Sequence, residues 1–462
     1  MKVIKIGGGC LKGKETIKYI LELVGKRGLG HVFVVSALSG VTDLLINGMS
    51  QALADEANIP GVINRLKAGH MTVARYVIED TEHLKSFSLD LNKHLGHLER
   101  YYYGLNFTRE NTPRLKDAIA CLGECLSARL LVAALRSRGL HAAYHDPRHI
   151  GMVTDGKFGD ATADLGQTTR NFAKHLLPLH KKNRLLFIPG FFGISHDGDV
   201  TTFGRGGSDY SAAVVAVAMG AEILEVWKDV AGFMSADPKF VPEARLIPLL
   251  SYDEAAELAY FGAKILHPRT VEPIRRNKLH IAVKNTLNPD APGSLISSQS
   301  PKLPGVVKCV AHDTDIGVIK IHGSGVGARP GILAQITGQL TGSGINIRSV
   351  VTSQTCISLL LAGGDLEPGY QTLKNLRPKP YRQLEKIKNL ALVSIVGEGL
   401  LKHKGIAARC FTAVAESNVN VELISFGPSQ VALYFLLRQQ DLRRAVKAIH
   451  SHFFPANQDE QD

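Results

Sequence analysis

The chain opens on Lys2–Ile6 (KVIKI), whose apolar residues predict a strand, followed by a glycine loop. From Lys14 to Arg27 apolar positions recur at helical spacing. His31–Ala37 (HVFVVSA) is an unbroken β-branched and aromatic run, the pattern of a strand buried on both faces. From Ile46 to Tyr103 the pattern is helical but polar and rich in histidine, which reads as an insertion. Leu115–Arg138 predicts one long helix with small residues along one face. Leu185–Pro189, Glu222–Trp227 and His280–Lys284 predict further strands. Strands alternating with helices over the first 300 residues predict an α/β sheet with helices on both faces.

After Pro304 the pattern changes and repeats. Gly323 pairs with Gly397, Gly325 with Gly399, Gly331 with Gly405 and Asn346 with Asn420, all at one constant offset. Ile321/Ile395, Ile332/Ile406 and Ala334/Ala408 keep the same register. Each copy reads strand, glycine turn, helix, Asn-containing turn, strand, strand. Units this long are not solenoid repeats and predict two small βαββαβ domains.

Composition narrows the classes. A chain of 462 residues with 45% hydrophobic and 21% charged residues has material for about two to four globular domains. The net charge is +12, but the densest basic clusters, Lys181-Lys182-Asn183-Arg184 and Lys402-His403-Lys404, are short. That suits small anions better than a nucleic-acid stripe, so no nucleic-acid partner is expected. Six cysteines are sparse; Cys121 and Cys125 sit at helical spacing with no second pair to complete a zinc pattern. Reduced thiols are expected, and no protein-built metal site. The N-terminus lacks the apolar run of a signal peptide and no stretch of about 18 apolar residues occurs, so the expectation is a cytoplasmic protein with no membrane span.

Three glycine loops invite a phosphate reading. Gly8 to Lys14 has Walker-like spacing, but Glu15 stands where a Mg²⁺-holding hydroxyl belongs. Gly323-x-Gly325-x-x-Ala328 lacks the acidic residue about 20 positions on that a ribose needs, and reads as a tight turn. The third survives: Lys5 leads directly into Gly7-Gly8-Gly9, whose amides can close on phosphate oxygens while Lys5 serves as a point charge. A second constellation, Thr202 to Asp209 (TFGRGGSD), precedes an apolar helix from Tyr210 to Met219. Ser208 or Asp209 can cap that helix, and Arg205 offers a bidentate clamp for a carboxylate or phosphate. Glu124 follows Gly123 on a small-residue helix face, which points it inward.

In this order, these elements resemble the aspartate kinases of the amino-acid-kinase family, which carry paired C-terminal ACT domains. Lys5 to Cys10 (KIGGGC) is similar to the family's KFGGTS, and Cys121-Leu122-Gly123-Glu124 to its S-x-G-E helix. Ser36-Ala37 with Thr42-Asp43, and Pro189-Gly190-Phe191 with GRGGSD, match further stretches. Lys228 to Lys239 (KDVAGFMSADPK) resembles TDVDGVYTADPR, and GAKILHPR, Gly262 to Arg269, resembles GAKVLHPR. Departures are Gly9-Cys10 for Thr-Ser, Lys228 for Thr, Met234 for Tyr and Lys239 for Arg.

The resemblance implies a three-layer amino-acid-kinase sheet sandwich over residues 1–300, with a helical insertion at about 46–110, then two ferredoxin-like βαββαβ ACT domains at 312–385 and 388–455. It implies transfer of phosphate from ATP, with Mg²⁺, to the side chain of L-aspartate. Lys5, Asp209 and Lys264 are then catalytic. Thr42, Glu124, Arg205, Gly206, Gly207 and Ser208 bind aspartate: Arg205 its α-carboxylate, Glu124 and Asp209 its ammonium. Lys5, Gly7, Gly8, Lys228, Asp229, Met234, Lys239 and Lys264 hold the nucleotide. Asn346, Ser353 and Gln354 mark an effector site for lysine or threonine, and the ACT domains imply a homodimer or larger assembly. A non-catalytic or attenuated amino-acid sensor that keeps the fold is the alternative.

Overall fold

The computed structural model describes residues 1–180, 184–262, 265–298 and 306–455. The chain forms two compact units, one of Met1–Phe233, Pro248–Ala256 and Ile265–Ser300, the other of Met234–Ile247, Glu257–Lys264 and Pro301–Asp462.

The first unit is built on an eight-stranded sheet. Its strand order is Ala142–Tyr144, Leu185–Pro189, Val32–Val35, Lys2–Ile6, Ile223–Lys228, His280–Asn285, Ser294–Ser297, Leu249–Ser251. The first six run parallel, with Lys5 opposite Val34 on one side and Val226 on the other. The apolar run around residue 33 is a central strand, and its four residues are fully buried, as two covered faces require. Ile4, Ile6, Phe33 and Val35 point into a core shared with Lys14–Arg27, the insertion helices Ile59–Val77 and Thr81–Thr108, and Leu122–Arg136. Alternation along the strand turns Lys5 to the opposite face, toward the helix Gly207–Ala218. The helical region starts earlier than its polar pattern suggests, with Val41–Ala54.

The long helix expected at Leu115–Arg138 is divided into Pro113–Ala120 and Leu122–Arg136, with a turn at Cys121. The break follows Asp117, whose buried carboxylate is tied sideways to Gly159 and Thr202. By length and composition Pro113–Arg136 could cross a membrane, yet 78% of its apolar window is buried inside the fold. It is a core element.

The second unit holds two four-stranded antiparallel sheets. One has the order Ile347–Thr352, Cys356–Leu361, Gly317–His322, Gln383–Ile387, with helices Ile332–Gly342 and Gly363–Lys374: a complete βαββαβ unit. The other has the order Cys309–Asp313, Leu390–Val396, Ala432–Arg438, Leu423–Phe426. Its edge strand Cys309–Asp313 comes from ahead of the first repeat, so the first repeat is inserted into the second. Cys309–Asp313 pairs with Leu390–Val396 from Cys309↔Val396 to Asp313↔Leu392 and buries Val310 completely. The pairing fills the edge that the repeat pattern leaves open. Ser235 belongs to this unit: its hydroxyl lies 2.9 Å from His450 Nε2, and its carbonyl accepts from Val310 N–H at 2.8 Å.

Candidate active site

The ends of parallel strands form the crevice of an open α/β sheet. The strand Lys2–Ile6 ends there at Gly7, whose N–H donates to Trp227 O at 3.2 Å, and a single 3₁₀ turn, Gly8–Cys10, follows. Lys5 is only 4% exposed, and its Nζ lies 2.5 Å from Asp209 Oδ1. Lys228 Nζ, from the neighbouring strand, lies 3.5 Å from Asp209 Oδ2. Burial alone would raise the Asp209 carboxyl pKa; Lys5 and Lys228 reverse that and hold it below the ordinary carboxylate range. Burial, and then repulsion from Lys5, lowers the Lys228 ammonium.

Asp209 does not cap its helix, and neither does Ser208. The helix starts at Gly207, with Gly206 as N-cap at φ 71°, and both side chains fall in the first turn, pointing into the cleft. Only glycine fits at 206: it is left-handed, and a Cβ there would sit 2.3 Å from His267 Cβ. With Gly204 also left-handed, the exposed Arg205 is carried out to the rim.

Glu124, 4% exposed, accepts from Ser208 Oγ at 3.2 Å through Oε1, while its buried Oε2 has no hydrogen-bond partner among the described residues. Burial pushes its pKa up to about 7, against the pull of the Ala37 backbone, Ser208 and Lys5. Lys5, Thr42, Glu124, Arg205, Gly206, Gly207, Ser208 and Asp209 line one cleft of about 240 Å³, with Ser36 and Phe191. Two cations and two carboxylates in so small a space complement a zwitterion that carries an extra anionic group.

Several residues that shape this cleft escape the sequence reading. Asp117 accepts from Gly159 N–H, Thr202 N–H and Thr202 Oγ, each at 2.8 Å. Arg269 donates to Phe203 O at 2.9 Å and Ala161 O at 2.6 Å, pairs with Asp160 at 2.6 Å and stacks 4.8 Å from the Tyr210 ring centre. Together they anchor the segment that presents Arg205. Arg269 lies in the HPR motif; nothing in sequence spacing singles out Asp117.

Asp229 is held below the carboxylate range chiefly by its bond from Lys12 Nζ, at 2.9 Å. A Cβ on Gly9 would come within 2.9 Å of Asp229 Oδ1, so a larger residue there would shift this part-exposed carboxylate. Cys10 is buried 3.0 Å from Thr286 Oγ1, and burial raises its thiol pKa, leaving it unreactive.

Lys264 falls outside the described residues. Met234 and Lys239 belong to the second unit, where Met234 O accepts from Cys309 Sγ at 3.2 Å and Lys239 is exposed. Also in that unit, the exposed Asn346 precedes the strand Ile347–Thr352, and Ser353 and Gln354 form the exposed turn after it. Gln354 O accepts from Gly327 N–H at 3.3 Å, which brings this turn against the glycine turn ahead of the helix Ile332–Gly342. No group of three His, Cys, Asp or Glu side chains suited to a metal occurs among the described residues.

Residues 1–285 match the amino acid kinase family, and residues 393–453 match an ACT domain. Aspartokinase 2, chloroplastic, of Arabidopsis thaliana is 30% identical over 98% of this chain and 84% of its own length. The bifunctional aspartokinase/homoserine dehydrogenase of Haemophilus influenzae is also 30% identical, over 98% of this chain but 56% of its own, so the chain spans about half the length of such bifunctional relatives. Among solved structures, E. coli aspartokinase III in complex with aspartate and ADP superposes with a TM-score of 0.85 at 27% identity, covering 98% of this chain and 100% of that one. The same enzyme in complex with lysine and aspartate gives 0.80. With the kinase model over more than half of its length and an aspartokinase matched nearly end to end, the chain belongs to the amino acid kinase family, among the aspartokinases.

Proposed function

We propose that the chain catalyses ATP + L-aspartate → 4-phospho-L-aspartate + ADP, regulated by an amino acid through its ACT domains. The observation that carries this is the single cleft combining Lys5–Asp209–Lys228 with the unpaired Glu124 Oε2 and the rim Arg205. A side-chain carboxylate with an ordinary pKa of about 3.9 is already ionised at neutral pH, so no general base is needed. The task is to bring two anions together and stabilise the charge on the transferring group. Arg205 takes the α-carboxylate in its planar fork; Glu124 and Asp209 take the ammonium; Thr42, Ser208 and the Gly206-Gly207 backbone complete the fit. Lys5 then neutralises charge between acceptor and phosphoryl group, with Lys228 and the amides of Gly7 and Gly8 on the phosphates. Asp229, Met234, Lys239 and Lys264 are assigned to the nucleotide from the resemblance.

Mg²⁺ enters as part of the ATP substrate, riding on phosphate oxygens, because the described residues supply no cage of their own. The E. coli relative complexed with lysine supports lysine as effector ahead of threonine, with Asn346, Ser353 and Gln354 as contacts. The exposed edge strands Ile347–Thr352 and Leu423–Phe426 suit pairing with a second copy, a homodimer or larger. The six free cysteines suit a reducing compartment, with the cytoplasm our assignment.

The test is ADP release with L-aspartate, L-glutamate and N-acetylglutamate as acceptors. Turnover with L-aspartate alone is expected. Lysine binding without turnover on any acceptor would instead establish the sensor reading.

A further inference from the structure

A second hollow, of about 440 Å³, lies at the other end of the sheet from the cleft. Arg184 immediately precedes the strand Leu185–Pro189, and the far end of that strand runs into Gly190-Phe191, which borders the cleft. The hollow is lined by His83, Arg136, His141 and Arg184, together with the chain from Gly139 to Ala143, and none of the described lining residues is acidic.

Two of these side chains are already oriented. Arg136 Nε donates to Ala142 O at 2.8 Å, which fixes the guanidinium plane and leaves both terminal nitrogens for a ligand. His83 Nδ1 is held 2.7 Å from Asp80 Oδ2, which presents Nε2. The two acids of the adjoining turn are engaged: Asp80 by His83, and Glu79 by Arg138 at 3.0 Å. His145 lies two residues beyond Ala143, on the same face of the edge strand, and its buried Nε2 has no partner among the described residues. Arg136 and Arg184 gather two fixed positive charges round one concave surface, which an anion would neutralise, and the ring nitrogens of His83 and His141 add hydrogen-bonding groups beside them.

We propose that this hollow is a second ligand site, for a small multiply charged anion of the phosphate class. Paired guanidinium forks match phosphate oxygens bidentately, and a singly charged carboxylate leaves the cluster under-compensated. The volume suits a small metabolite. Because the site shares no residue with the cleft, it stands or falls apart from the kinase reading.

The experiment is calorimetric titration of the full chain with inorganic pyrophosphate, with L-aspartate and ADP saturating the cleft. One further site is expected. Its affinity should fall at least tenfold in Arg184→Ala and in Arg136→Ala, and stay unchanged in Lys402→Ala, which alters a distant basic cluster. Arg184 is exposed, so its variant decides the matter if Arg136→Ala disturbs the local fold. Absence of a further site, or equal affinity in the Arg184 variant, overturns the proposal. Citrate binding as tightly as pyrophosphate overturns the phosphate assignment.

Discussion

Glu124 carries the clearest electrostatic consequence of the fold. Its pKa stands at about 7 in the folded chain because it is buried, against an ordinary 4.5. Between those values the folded protein holds a proton that the unfolded chain has released. Its contribution to stability therefore falls as pH rises through the window, is absent below it, and reaches its full unfavourable value above pH 7. Glu124→Gln should melt higher than the parent at pH 8 without ligands and nearly level with it at pH 4.5, by calorimetry. Binding reverses the preference, since an ammonium needs the ionised form. KM for aspartate should rise by up to about tenfold per unit as pH drops below 7, and be high and flat in Glu124→Gln. Lys5 and Arg205 divide the remaining work. Lys5→Ala should lower kcat by about 10²–10³. Arg205→Lys, keeping charge but losing the fork, should weaken aspartate by about 1–3 kcal/mol and leave KM for ATP unchanged. Steady-state kinetics separates the two.

At the level of elements, the cleft depends on how one short segment is pinned between a strand end and a helix start. Asp117 fixes Thr202, Arg269 fixes Phe203, and the left-handed Gly206 turns the chain into the helix Gly207–Ala218. Removing charge from a buried carboxylate with three donors costs about 1–3 kcal/mol, so Asp117→Asn should unfold at correspondingly lower urea. Arg269→Lys cannot serve Phe203, Ala161 and Asp160 together. Its expected signature is a raised KM for aspartate with KM for ATP near the parent value; equal loss for both substrates would mean a general loss of fold. Gly206→Ala should abolish aspartate binding, because its Cβ collides with His267.

For the whole molecule, the regulatory prediction follows from linkage. If lysine weakens aspartate binding by some factor, aspartate weakens lysine binding by the same factor. Calorimetry with lysine on the full chain, with and without saturating aspartate, should give a ratio equal to the shift in aspartate affinity measured the other way. An inhibited enzyme whose lysine affinity ignores aspartate would mean that lysine acts on turnover alone. Gln354→Glu adds a carboxylate for a side-chain ammonium and should tighten lysine in preference to threonine.

What the sequence determined by itself is what local pattern and side-chain chemistry carry. The apolar run Val32–Val35, the helix Lys14–Arg27, the repeat register and the KIGGG motif are local signals that lie where their pattern places them, and GRGGSD does lead into a helix, though one that starts at Gly207 rather than Tyr210. Lys5, Glu124, Arg205 and Asp209 were legible as candidates because their neighbours are glycines and small residues, which let ligands or backbone come close. Tertiary structure decided the rest, because it depends on partners distant in sequence. The salt bridge of Asp209 to Lys5 spans two elements, and Asp209 lies inside its helix, which begins at Gly207 with Gly206 as the cap. Asp117 acquires its role only when Thr202 and Gly159 fold against it. Cys309–Asp313 joins the sheet of the second repeat across the whole of the first, since an edge strand is chosen by the backbone it can pair with and not by its place in the chain.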